Sequence, residues 1–346
     1  MADRVKVGVL GLVHDHVWGM LKQLQQVEGV EVVGAADPHE ALLNRFREQT
    51  GAEFATDDYE ELLDTQPMDA VLVYGTNRGR GDLVEMAAER GLHIMSEKPM
   101  ASDLAVADRM LVAARKAGVQ LMINWPIAWS PVILCALDLV RQGDIGRVWQ
   151  MKWRGGHCGP KEFGCDPHFY EWLYDPFENG GGALVDYLGY GANLARLFIG
   201  RPTAVIAIAG RLVKQYIAVD DNAVVALEYH DANAVIETTW TEPIPYKPPH
   251  DVILYGTEAV LIAGRSAVTR YSKAEPDGRV IEPAPLQAPR RNGPEFFIHS
   301  VRTGEPIEGP CSPEVSHNAQ EVVEAAKLSV LTGQKIALPL VDHLYA

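Results

Sequence analysis

A chain of 346 residues is long for one hydrophobic core, and a make-up of 47% hydrophobic and 22% charged residues is that of an ordinary two-domain globular protein. A formal charge of −15 argues against a nucleic-acid partner, and the longest apolar runs, 69–74 and 204–209, are far too short to cross a bilayer. Four cysteines do not make a disulfide framework for so long a chain, and the N-terminus passes through Asp3 and Arg4 into a strand-like run without a secretory leader. A cytoplasmic protein without a membrane partner is expected.

In chain order, residues 6–10 (KVGVL) read as a short apolar strand, followed by a glycine turn and a helix to about Val27. A second strand, 30–36, ends at Asp37, and 40–50 is a helix. Then come a buried strand at 70–74, a helix at 83–90, a strand at 93–96, and one more helix and strand at 106–116 and 120–124. Such β-α-β alternation predicts an α/β Rossmann domain over 1–124, a doubly wound parallel sheet with helices on both faces. Beyond residue 125 the pattern changes. A helix at 131–142 leads to a strand at 148–154, and further strands at 204–212, 223–229, 234–240 and 252–255 follow without intervening helices. This predicts an α+β substrate-binding domain over 125–346 with a large open, mainly antiparallel sheet. The triple glycine 180–182 opens its long helix, which Gly200 stops, and a last helix at 313–331 is expected to pack back on the first domain.

Dinucleotides bind at the carboxyl ends of parallel strands, with phosphate on a glycine turn and helix N-terminus. The turn here runs Gly11-Leu12-Val13-His14-Asp15-His16, and Val13 and His16 stand where G-x-G-x-x-G spacing calls for glycine. Its position in the first β-α-β unit nevertheless makes Gly11, Leu12, Val13 and His14 candidate cofactor contacts. Asp37 can accept both adenosine ribose hydroxyls and repel a 2′-phosphate, which favours NAD and leaves NADP as the alternative. Asp37 before Pro38 is also a helix-capping pattern.

The segment His93 to Met100, HIMSEKPM, ends a strand in Glu97-Lys98-Pro99 after three β-α units. With it go Tyr59-Glu-Glu-Leu-Leu, Asp69-Ala70, Gly143-Asp144-Ile145-Gly146, the run from Gly180 to Asp186, Tyr255-Gly256-Thr257, Thr332-Gly333 and Leu338-Pro339. In this order and over nearly its whole length the chain resembles the glucose–fructose oxidoreductase/inositol dehydrogenase (Gfo/Idh/MocA) family. The resemblance implies an NAD(P)-dependent dehydrogenase acting on a secondary alcohol or ketone of a sugar, cyclitol or related polyol.

It also implies that Lys98 sits beside the nicotinamide and at the substrate oxygen, where a buried cation stabilises developing alkoxide charge. Asp186, Tyr190 and Asn193 share one face of the helix after the triple glycine. Relatives carry Asp, His and Asp there, so Asp186 matches while Tyr190 replaces the catalytic histidine as proton donor or is a core aromatic. Thr76, Asn77, Glu97, Asn124 and Trp125 are expected against the cofactor, and Trp129, His157, His168 and Asn193 with Lys98, Asp186 and Tyr190 against the substrate, between nicotinamide and the second sheet. Arg78 and Arg80 either meet a phosphate or acidic substrate or are solvated loop charges. Neither His14-Asp15-His16 nor His157, Cys158, Cys165 and His168 has recognised zinc spacing, so no metal is expected. Two other activities fit the same pattern: NAD-assisted elimination or glycoside cleavage without net redox change, and cofactor or sugar binding in a non-catalytic regulator. An apolar outer sheet face predicts a homodimer or homotetramer.

Overall fold

The computed structural model describes residues 4–243 and 251–340. Its first strands and helices are β1 (Val5–Leu10), α1 (His16–Leu24), β2 (Val30–Ala36), α2 (Glu40–Thr50), β3 (Ala55–Thr56), α3 (Tyr59–Thr65) and β4 (Ala70–Val73). There follow α4 (Arg80–Glu89), β5 (His93–Glu97), α5 (Leu104–Ala117) and β6 (Leu121–Asn124). The remainder comprises α6 (Pro131–Arg141), β7 (Val148–Gly156), α7 (Pro160–Phe163), α8 (Pro167–Leu173), α9 (Ala183–Phe198), β8 (Ala204–Gly210), β9 (Asn222–Glu228) and β10 (Asn233–Thr239). It closes with β11 (Val252–Gly256), β12 (Ala259–Ala263), β13 (Val268–Ser272), β14 (Glu275–Ile281), α10 (Gly293–Thr303), α11 (Pro313–Thr332) and β15 (Ile336–Ala337). No helix of the described residues is long and apolar enough to cross a membrane.

Two compact units result. The first gathers Met1–Trp129, Cys165–Gly180 and Gln287–His317, and the second Ser130–Gly164, Gly181–Leu286 and Asn318–Ala346. The first holds a six-stranded parallel sheet in the order β3-β2-β1-β4-β5-β6. All residues of β4 and β6 are buried, as expected of strands covered on both faces, where apolar runs replace alternation. The helices are bounded by chemistry legible in the sequence. Asp103 caps α5 by accepting the Val106 amide at 3.0 Å, and Gly118 ends it in the left-handed region.

The second unit holds nine strands in the order β14-β13-β12-β11-β7-β10-β9-β8-β15. All neighbours run antiparallel except β7 and β10, which are parallel. Helix α9 packs on β7 and β10 so closely that a Cβ on Gly191 would lie 2.6 Å from Ile236. The inner residues of β8 and β9 are buried, whereas Ile206, Ile208 and Val224 face outward, Ile208 at 77% exposure.

Candidate active site

In the first unit, polar groups collect at the carboxyl ends of the strands. The chain leaves β1 through Gly11, whose φ of +80° and approach to Gly75 (a Cβ would stand 2.6 Å from the Gly75 nitrogen) admit no other residue without strain. The next amide, Leu12, donates to Asp37 Oδ2 at 2.6 Å. Asp37 is fully buried, and its Oδ1 also accepts from the His39 amide and ring Nδ1, both at 2.8 Å. A carboxylate offers about four acceptor positions, so Asp37 fixes the turn and keeps capacity for a further donor. Val13 follows, His14 donates its amide to the Tyr74 carbonyl at 3.2 Å, and α1 begins at His16. A tight turn at a helix N-terminus with a buried acid beside it suits the diphosphate and ribose of a dinucleotide.

Lys98 follows the last residue of β5, is 5% exposed, and joins Pro99 through a cis peptide bond. Glu97 before it is 1% exposed, and its Oε1 lies 3.1 Å from His16 Nδ1. His14 is buried beside them. Burial holds its imidazole well below the usual histidine range, and His16 and the positive charges of Lys98 and Arg80 add to the effect. Arg80, left between a ligand role and a solvated charge by the sequence, does neither. It is fully buried and donates to the Glu97 carbonyl, Asn77 Oδ1 and the Thr76 carbonyl. Burial pushes its pKa down to about 10. Arg78 instead lies over the Phe177 ring at 3.9 Å and 3.6 Å from Asp103.

The segment 165–180 belongs to this unit. Its Asp166 amide donates to the Asp15 carboxylate at 2.8 Å, and Phe169 and Trp172 stand 4.4 and 5.9 Å from the His14 ring. Thr76 donates to Glu178 at 2.7 Å and Asn77 to Asn179 at 2.6 Å. His168 bonds Asp166 at 2.9 Å and sits edge-on to His39, 4.9 Å away, which places it at the Asp37 end of the turn. Asn124 is buried at the end of β6 and accepts from Trp129 Nε1 at 2.9 Å. Trp125 is 1% exposed and donates to Ser316 at 3.0 Å, which makes it part of the core.

The second unit carries the other candidates on α9. Asp220 anchors the start of this helix by accepting the Gly182 and Leu184 amides, each at 2.8 Å, and a Cβ on Gly182 would fall 1.8 Å from the Asp220 carbonyl. Asp186 is 8% exposed and accepts from Trp240 Nε1 at 3.1 Å. Tyr190 stacks on Tyr187 at 5.8 Å and lies 6.2 Å from Trp153, and His157 meets Tyr187 edge-on at 5.6 Å. The structure thus brings His157, Tyr187, Tyr190 and Trp153 into one aromatic wall. Asn193, one turn further, is fully buried. In the same unit, Lys214 reaches Glu162 at 2.7 Å. Sequence reasoning missed Trp153, Tyr187 and Trp240. The spacing of Tyr187 and Tyr190, one helical turn apart, was the available signal for one of them.

Residues 5–125 match the oxidoreductase family model for an NAD-binding Rossmann fold, and residues 133–262 match the GFO/IDH/MocA C-terminal domain. The chain is 27% identical over 336 residues to a D-xylose 1-dehydrogenase (NADP(+)) of Haloferax volcanii, covering 96% of this chain and 99% of that protein. It is 24% identical over 272 residues to a scyllo-inositol 2-dehydrogenase (NAD(+)) of Bacillus subtilis, covering 76% and 75%. In fold it is similar to the aldose-aldose oxidoreductase of Caulobacter crescentus crystallised with glycerol, with a TM-score of 0.81, 24% identity, and coverage of 97% and 100%.

Proposed function

Since this chain belongs to the GFO/IDH/MocA family of NAD-binding oxidoreductases, we propose that it transfers a hydride between NAD and a secondary alcohol or ketone of a sugar, cyclitol or related polyol. The observation that carries this reading is Lys98, a buried ammonium at the carboxyl end of β5 in an NAD-binding domain. NAD, when bound, accepts or returns the hydride. The turn from Gly11 to His14 would hold the diphosphate with backbone amides, and Asp37 the adenosine ribose. The fit rests on the positive φ of Gly11, the buried Asp37 and its remaining acceptor capacity. An anionic Asp37 repels a 2′-phosphate, so NAD is preferred over NADP.

At the substrate, Lys98 stabilises negative charge on the reacting oxygen as the hydride leaves or arrives. Tyr190 moves the proton, and Asp186, fixed by the Trp240 N–H, orients a hydroxyl. The faces of Tyr187, Tyr190 and Trp153 suit the C–H surface of a sugar ring.

The test is a panel of sugars and polyols offered with NAD and with NADP, followed at the reduced-nicotinamide absorbance. Reduction of NAD by at least one member is expected. A protein that binds NAD and reduces it with none of them refutes the reading.

We also infer a homo-oligomer formed through the outer face of the nine-stranded sheet. Ile206, Ile208, Val224, Trp149 and Val280 are all more than two-fifths exposed, and apolar side chains turned outward from an open sheet favour a covering partner. Ile208→Lys is expected to shift the protein to monomer by light scattering, and a wild-type monomer at micromolar concentration contradicts the inference.

A further inference from the structure

We propose that His14, His16 and Glu97 form a binding site for a divalent ion of the borderline class, such as Zn²⁺ or Co²⁺. One ligand atom from each of the three lies within 4.8 Å of the others, and among the described residues this is the one group of histidine, cysteine or carboxylate side chains so placed. Two imidazoles and one carboxylate suit borderline ions, and this donor set leaves coordination positions open. The third ligand comes from the end of β5, far from the histidines in sequence, so no spacing along the chain points to it.

An ordinary hydrogen bond explains part of the cluster but not all of it. His16 Nδ1 and Glu97 Oε1 are 3.1 Å apart. That is a normal polar contact, and it is also close to the roughly 3.3 Å edge that two ligand atoms subtend on a tetrahedral ion with bonds of about 2.0 Å. The other oxygen carries the argument. Glu97 is 1% exposed, and its Oε2 is buried and makes no hydrogen bond of good geometry, although the Tyr74 hydroxyl lies near enough to act on the carboxylate. A buried carboxylate oxygen left so costs free energy unless something positive meets it.

Rigidity favours the site as well. His14 Nδ1 accepts the His16 amide at 3.3 Å, which orients the ring and leaves its other nitrogen for the ion. Phe169 and Trp172 pack against the same imidazole. His16, with a side-chain exposure of 42%, is the open side through which an ion enters. The charges of Lys98 and Arg80, close enough to act on His14, oppose a dication. The site is therefore expected to bind in the micromolar range rather than with the affinity of a structural zinc centre.

The experiment titrates the metal-stripped full-length protein with Co²⁺ alone, followed by visible absorption, and with Zn²⁺ by calorimetry. One equivalent of Co²⁺ with the intense visible bands of a low-coordinate nitrogen and oxygen site is expected. His16→Ala should weaken binding at least tenfold, Glu97→Gln likewise, and His230→Ala, an exposed histidine of the second unit, not at all. His16 is exposed, so its variant keeps the test decisive should Glu97→Gln fail to fold. Stoichiometry far below one, octahedral-type spectra only, or unchanged affinity in a folded His16→Ala each overturn the proposal. Because the titration contains no NAD, its outcome is separate from that of the hydride-transfer reading.

Discussion

The two units handle polar groups in different ways. In the first, the parallel sheet is covered on both faces, so side chains along β4 and β6 are wholly buried, and all are apolar except Asn124 at the end of β6. Polar chemistry is left to the strand ends, where Asp37, Asn77, Arg80 and Glu97 are all buried and fixed by partners within the unit. In the second, the sheet is covered on one face by α9 and α6 and turns Ile206, Ile208 and Val224 outward on the other. Its candidates ride on one helix, and the rings of Tyr187 and Trp153 lie beside Tyr190. Buried polar groups fixed at strand ends suit a charged ligand, whereas the second unit presents a face of aromatic rings. A rigid turn tolerates little substitution, whereas, on the function proposed above, a face can change its aromatic residues and with them the substrate.

Removing one chemical group from each unit separates their roles. Tyr190→Phe deletes only a hydroxyl and keeps the ring that stacks on Tyr187, so packing and NAD affinity should hardly change. If Tyr190 moves the proton, turnover falls on the order of 10²–10⁴. Lys98→Ala removes charge stabilisation in the first unit and should cost on the order of 10²–10³. Stopped-flow and steady-state rates decide. A normal rate in Tyr190→Phe beside a dead Lys98→Ala assigns the proton chemistry away from α9 and leaves the oxidoreductase assignment standing.

This contrast also explains what could be read from the sequence. The Rossmann unit was legible almost strand for strand, because β-α-β alternation and strand-end motifs are local signals. The glycine turn lacks two of the three glycines of G-x-G-x-x-G spacing. The structure shows why it still turns: Gly11 is the position where a Cβ meets Gly75, while the Val13 and His16 sites are filled by side chains. Arg80 was ambiguous because burial of a guanidinium depends on Glu97 and Asn77 coming together in three dimensions. In the second unit, β12, β13 and β14 went unread. Residues Glu275–Ile281, EPDGRVI, carry Pro, Asp and Gly and look like a turn, and only pairing with β13 makes them a strand. Trp240 as the partner of Asp186 had no sequence signal, since the contact joins the loop after β10 to α9.

A second test concerns the stability of the second unit. Asp221 is fully buried and accepts the amides of Leu212, Val213 and Lys214 at 2.7, 2.8 and 2.6 Å. Burial by itself raises its pKa, but these amides, with Asn222, outweigh it and hold the carboxyl below the usual range. Asp221→Ala leaves three donors unmet and should cost about 2–4 kcal/mol in urea unfolding. The sign for pH follows. The stabilisation is present above the unfolded value of about 3.9 and is lost as pH falls through the lower folded value. A loss under 0.5 kcal/mol, roughly the size of a neutral surface change, would show that the loop is held by something else.

Cofactor choice tests the first unit at smaller amplitude. With Asp37 in place, NAD should bind at least tenfold more tightly than NADP, about 1.4 kcal/mol. Asp37→Ser should narrow that gap by relieving repulsion of the 2′-phosphate, though it also loses the bonds from Leu12 and His39. Calorimetry with both dinucleotides measures it, and equal or reversed wild-type affinities would sink the assignment.

The smallest effect belongs to the other end of the same sheet. His93 opens β5, at the amino end of the strand that Glu97 closes, and its Nδ1 accepts the Gln120 amide at 3.0 Å. That bond requires an unprotonated Nδ1. Burial lowers the His93 pKa, and the Asp69 charge opposes the shift only in part. The unfolded chain therefore takes up a proton below about pH 6.5 that the folded chain still refuses. Stability from His93 is complete above that value and falls as pH drops toward the folded value. The slope is bounded by about 1.4 kcal/mol per pH unit and should be well under it, because His93 is only partly buried and solvent screens the charge. His93→Asn keeps an acceptor for Gln120 and removes the titration. Wild type should thus lose stability relative to this variant between pH 7 and pH 5, as read from paired denaturant curves. Parallel pH profiles would mean that His93 is solvated in both states and that polar groups at the amino ends of these strands are electrostatically silent.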